Sequence, residues 1–139
     1  MKERIENLAA EWETASKALL ADQGYQIPQV EALLQETYKL CTEFKDADLV
    51  PKGFFKLMAH IESFIDHLVD FCRIDELTTP SDGAEFDAIC FIIEEIRYGF
   101  YTGAYESAYP NISVDNNQGK PYVLNLEEPF LEAFIDNNR

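Results

Sequence analysis

Apolar residues recur with a helical period in four separate runs between residues 2 and 102, and each run stops at a recognisable break. The first covers about Lys2 to Asp22, with Ile5, Leu8, Trp12, Ala15 and Leu19 on one stripe and Gly24 as its C-terminal stop. Pro28 then stands at a first helical position, and Val30, Leu33, Leu34, Thr37, Cys41 and Phe44 follow on one side. Glu31, Gln35, Lys39 and Glu43 take the opposite side, so this second helix buries one face and wets the other. Pro51 opens a third helix with a wide stripe made of Phe54, Leu57, Met58, Ile61, Phe64, Ile65, Leu68, Val69, Phe71 and Cys72.

Thr79-Pro80-Ser81-Asp82 reads as a capped start, with threonine at the N-cap, proline at the first helical position and an acid two residues later. The fourth helix, roughly Pro80 to Thr102, is apolar on nearly all sides through Phe86, Ile89, Cys90, Phe91, Ile92, Ile93, Ile96 and Phe100. That distribution predicts a place in the middle of a bundle. After Gly103 the period is lost. Ala104 to Pro110 reads as a tyrosine-rich turn, and residues 112–114 and 122–124 flank a polar turn as a small hairpin would. Pro129 can open a last short helix holding Phe130, Phe134 and Ile135. The expected architecture is all-α: one domain over residues 1–139, a compact antiparallel bundle of four main helices with a short mixed C-terminal appendage.

Charge changes this picture more than size does. The 139 residues carry 26 acids against 11 lysines and arginines, a formal net charge of −15. Residues 1–52 contribute −4 and residues 53–139 contribute −11. An excess of this size works against compactness, keeps the protein in solution and steers cationic partners towards it. It disfavours direct nucleic-acid binding, which needs basic groups against phosphate. With 47% hydrophobic residues the chain still has the material for a packed core. The charged opening MKERIENLAAEWE has no apolar core of a signal peptide, and the longest apolar run, Ala88 to Ile93, is far short of a membrane span. Three cysteines without CxxC spacing fit neither a disulfide framework nor a zinc clasp. A cytoplasmic protein with no cofactor and no bound metal is expected.

Candidate chemistry is sparse. His60 and His67 stand seven residues apart on the third helix, about 10.5 Å along its axis, whereas a chelating pair sits at i, i+4. They border the apolar stripe, as structural histidines do, and acid–base work or a pH-sensitive contact is the other reading. Glu62, Asp66 and Asp70 form an i, i+4, i+8 ridge in which like charges oppose one another. Such a ridge is either a solvated face or a docking surface for a basic protein. Arg97 falls in the apolar arc of the fourth helix, where a guanidinium needs an acid on a neighbouring helix or a ligand to hold. Tyr98, Tyr101, Tyr105, Tyr109 and Tyr122 can anchor a partner or cover one end of the bundle. No Gly-rich phosphate loop and no serine nucleophile motif occurs, and the cysteines sit on predicted core faces.

Leu40-Cys41-Thr42-Glu43-Phe44, Phe64-Ile65-Asp66, Glu85-Phe86-Asp87 and Gly103-Ala104-Tyr105 give the stretch from Pro28 to Tyr105 a resemblance to a family of small, acidic, uncharacterised bacterial helical proteins. The resemblance implies an all-helical fold and carries over no catalytic residue. In size and acidity the chain is also similar in type to immunity proteins that neutralise bacterial toxins. The leading expectation is therefore a non-enzymatic binding protein, most concretely an immunity protein or inhibitor that occupies a basic site on a toxin, nuclease or other nucleic-acid-handling enzyme. Its candidate interface is Glu62, Asp66, Asp70, Tyr105 and Tyr109. The alternatives are a ligand-binding or enzymatic bundle with Arg97, His60 and His67 in a pocket, and a structural homodimer.

Overall fold

The computed structural model describes residues 2–44, 46–72 and 80–102, with the backbone alone for 80–85 and 102. Four helices form there: α1 (Lys2–Leu20), α2 (Ile27–Glu43), α3 (Gly53–Cys72) and α4 (Pro80–Thr102). Among the described residues there is no strand, and the fold is an all-α bundle. The tyrosine-rich turn, the hairpin, the helix after Pro129 and the cap at Thr79 lie outside the described residues.

The helix ends follow local chemistry. The N–H of Gln23 bonds the carbonyl of Ala18 (2.8 Å) and that of Asp22 bonds Leu19 (3.0 Å), the paired bonds of a Schellman ending. Asp22 holds the left-handed turn at φ 60°, so the stop lies two residues before Gly24, the glycine that marks it in the sequence. Gly24 itself has φ +79°, and a Cβ there would lie 3.2 Å from the ring of Phe71. Pro28 occupies the second residue of α2, one later than expected, behind an extended Gln26 that offers no side-chain cap. Pro51 precedes α3, and its carbonyl accepts from the N–H of Phe54 at 3.0 Å.

Side-chain pairs fix the directions. Arg4 reaches Glu43 and Trp12 reaches Thr37, so α1 and α2 are antiparallel. Phe54 stacks on Phe100 at 4.8 Å and Glu62 meets Arg97, so α3 and α4 are antiparallel too. Ile5 lies beside Gly53, Glu13 beside His60 and Ser16 beside His67, which makes α1 and α3 parallel. In a square up-down-up-down bundle that diagonal pair stands apart, yet here it is the most closely packed pair. Small side chains permit the approach: Ala9 and Ser16 are buried on α1, and Gly53 opens α3 against Ile5. Trp12 then meets Phe64 edge-on at 5.2 Å, in the favoured geometry for two aromatic rings.

Around this pair the core is continuous. It draws Leu34 and Leu40 from α2, Leu57, Ile61 and Leu68 from α3, and Ile89, Ile92 and Ile96 from α4. Phe44, Phe54 and Phe100 tie the C-terminus of α2, the start of α3 and the end of α4 together. The expected central position of α4 is not what forms. Asp87, Glu94, Tyr98 and Tyr101 are exposed on one side of it, so α4 is one wall of the bundle, as the other helices are, and α1–α3 is the most closely packed pair.

Candidate functional site

Of the sequence-derived candidates, Glu62, Asp66, Asp70 and Arg97 come together at the seam between α3 and α4. Glu62 projects from α3 towards α4, and Asp66 and Asp70 follow it at successive turns, all exposed. Phe55 and Val69 share this side of α3 with 74% and 37% of their surface open. Among the described side chains of α4 the exposed ones are Asp87, Glu94, Tyr98 and Tyr101, whose spacing keeps them on one side of the helix. Five carboxylates and four large apolar or aromatic side chains thus lie on two adjoining helices.

Arg97 sits at the centre of this surface. Its Nη2 donates to Glu62 of α3 and its Nη1 donates to Glu94 at 3.0 Å, while the guanidinium lies 6.0 Å from the ring centroid of Tyr101. The side chain is 15% exposed. Burial works against its charge, and Tyr101, Glu94 and Glu62 more than offset that, holding the group above its ordinary value. Nε alone is buried without a partner. Arg97 therefore fastens α4 to α3, the ion pair to a neighbouring helix that the sequence allowed, and its partner is the first acid of the ridge.

Cys90 and Cys72 flank the same seam. Burial, then the carboxylates of Asp87 and Glu94 and the neighbouring Cys72, push the Cys90 thiol up to about 12, so it stays protonated and is a poor nucleophile.

The histidines face the other way. His60 Nε2 lies 2.9 Å from Glu13 Oε2 on α1, and Lys17 bonds the other oxygen of that carboxylate at 2.9 Å. The hydrogen bond and charge of Lys17 come first in holding Glu13 below its ordinary value, and His60 and Lys56 add to them. His67 Nδ1 lies 2.7 Å from Ser16 Oγ and 3.2 Å from the Ser16 carbonyl, so either tautomer finds a partner there. Arg97, His60 and His67 are thus not gathered into one pocket. Grooves of about 590, 540 and 490 Å³ open on the described surface, and none of the three residues lines any of them. Among the described residues no three potential metal ligands converge, and no helix is long and apolar enough to cross a membrane.

Tyr105 and Tyr109 lie outside the described residues. Phe55, Asp87 and Glu94 belong to the α3–α4 face and were not among the sequence-derived candidates, whereas Tyr98 and Tyr101 were read there as partner anchors or a cover for one end of the bundle. The signal that points to Phe55 is its position: it is a large aromatic off the apolar stripe of its own helix.

No family model, no curated protein and no solved structure matches the chain.

Proposed function

We propose that the chain is a non-enzymatic binding protein whose α3–α4 face seats on a basic site of another protein. The single observation that carries this reading is the charge of that face. From Glu62 to Asp70 and from Asp87 to Tyr101 the one lysine or arginine is Arg97, and it is already engaged by Glu62 and Glu94. Asp66, Asp70 and Asp87 stand exposed towards the end of this face where α3 finishes, and Phe55, Tyr98 and Tyr101 towards the end where α3 begins. Tyrosine is favoured at interface hot spots, and carboxylates of one sign add on-rate and specificity for a cationic partner. An immunity protein or inhibitor that covers the basic cleft of a toxin or nucleic-acid-handling enzyme is the most concrete form of this function, acting in the cytoplasm.

Affinity capture from the native host's lysate, run in parallel with the wild-type chain and the Asp66→Lys/Asp70→Lys variant, tests it. The wild type should retain one dominant basic protein that a salt gradient releases, and the variant should retain at least tenfold less, a loss of about 1.4 kcal/mol. A protein captured equally by both baits and released independently of salt would contradict the electrostatic reading.

A further inference from the structure

The opposite side of the bundle carries a surface that the α3–α4 face does not use. A groove of about 590 Å³ runs along the seam of α1 and α2, walled by Ala10, Ala15 and Ala18 on one side and by Tyr25, Ala32 and Leu33 on the other. Alanine is what keeps it open: α1 gives its close contacts to α3, and the methyl groups facing α2 leave the seam unfilled. The groove continues into a crevice of about 540 Å³ bordered by Glu3, Glu11 and Glu36, the last two residues being shared by both. Arg4 borders the crevice as well, and it is engaged by Glu43 at 2.7 Å and Glu36 at 3.9 Å. Glu3 and Glu11 are exposed and make no ion pair among the described residues. The track is therefore apolar at the Ala18 end and negative at the Glu3 end.

We infer that this groove docks an amphipathic helix of a partner protein, with its apolar stripe against the alanine walls and its lysines or arginines beside Glu3 and Glu11. Length and charge together select that occupant. From Glu3 to Ala18 the groove follows about 22 Å of α1, which matches a helix of about four turns. Helix-in-groove recognition uses apolar anchors at successive turns, which a shallow apolar track accepts. The acidic end fixes the direction, because reversing the helix would leave the basic residues on the apolar walls and remove them from the carboxylates.

The probe is a fluorescein-labelled peptide of about four turns, with leucines at i, i+3, i+4 and i+7 and three lysines in its last turn. Its control has the same composition with the leucines scrambled. Anisotropy at about 0.15 M salt should show the patterned peptide binding at least tenfold more tightly than the control. Ala18→Trp, which fills the groove, should weaken it at least tenfold, and Glu11→Lys should weaken it and flatten the salt dependence. Ala32→Glu, at an exposed position, serves if Ala18→Trp alters the far-ultraviolet circular dichroism. Asp66→Lys/Asp70→Lys on the far face should leave binding unchanged, which separates this site from the α3–α4 interface. Equal binding of the scrambled peptide, binding that survives a filled groove, or loss of binding in the Asp66→Lys/Asp70→Lys variant would each overturn the inference. Self-association that shields the groove from the peptide would also overturn it, making a second copy of the chain the occupant.

Discussion

Trp12 is fully buried, and its indole N–H has one partner, the hydroxyl of Thr37 at 2.9 Å. That hydroxyl in turn donates to the carbonyl of Leu33 at 2.7 Å, so a single oxygen satisfies the indole and fastens it to α2. Thr37→Val keeps the shape and removes the acceptor. The orphaned indole N–H should cost about 1–3 kcal/mol. Denaturant unfolding should show a lower midpoint with an unchanged slope; an unchanged midpoint would mean that water replaces the hydroxyl. Sequence periodicity placed Thr37 on the buried stripe of α2 but gave no sign of its partner, because the bond joins residues 25 positions apart. Asp22 is a similar case. Glycine is the expected left-handed terminator, and a nearby Gly24 drew attention from the aspartate that takes the conformation.

At the scale of elements, the close approach of α1 and α3 is the feature that organises the bundle. A Cβ on Gly53 would lie 3.1 Å from Cγ2 of Ile5, which is itself buried. Gly53→Leu has to push the two helices apart or displace Ile5, and overpacking of this kind costs about 1–3 kcal/mol. A thermal melt should register the loss, whereas a melt like that of the wild type would show that the α3 start can tilt away freely. The four helices were legible because Pro80, Pro51, Pro28 and Gly24 punctuate strong 3.6-residue periods. The diagonal contact was not. A period tells which face is buried and not which helix buries it. The burial of Ser16 and Ala9 between two helices is a property of small size that hydrophobicity does not register. The surplus apolar residues of α4 misled for a related reason. Phe86, Cys90, Phe91 and Phe100 widen its apolar arc yet are only partly buried, and Asp87, Glu94, Tyr98 and Tyr101 keep one side exposed.

For the whole molecule, two carboxylates with oppositely shifted titrations pull the pH response of stability in opposite directions. Glu95 is held above its ordinary value, first by burial and then by the adjacent Glu94. The folded state therefore binds that proton more tightly than the unfolded state does. Ionised Glu95 opposes folding at neutral pH, and the opposition is removed as pH falls through the raised folded value. Glu13 is the reverse case: held low by Lys17, it contributes stability at neutral pH that is lost as pH drops below the ordinary carboxylate value of about 4.3. Glu95→Gln should accordingly raise the denaturation midpoint at pH 7, and the gain should vanish at about pH 4 and below. A gain of the same size at both pH values would assign it to the new amide's contacts instead of to charge.

The candidate site was legible in part for physical reasons of the same kind. Glu62, Asp66, Asp70 and Arg97 stood out because like charges at helical spacing and an arginine in an apolar arc both need explaining. That Arg97 binds the first acid of the ridge, leaving Asp66 and Asp70 as the outward charges, depends on the α3–α4 register. The most direct test of the central claim is a backbone-amide chemical-shift footprint of the chain, recorded with and without its captured basic partner. The account predicts perturbed amides concentrated between Phe55 and Asp70 and between Asp87 and Tyr101, with the α1–α2 seam quiet. A footprint centred on α1 and α2, with those two stretches unchanged, would contradict it.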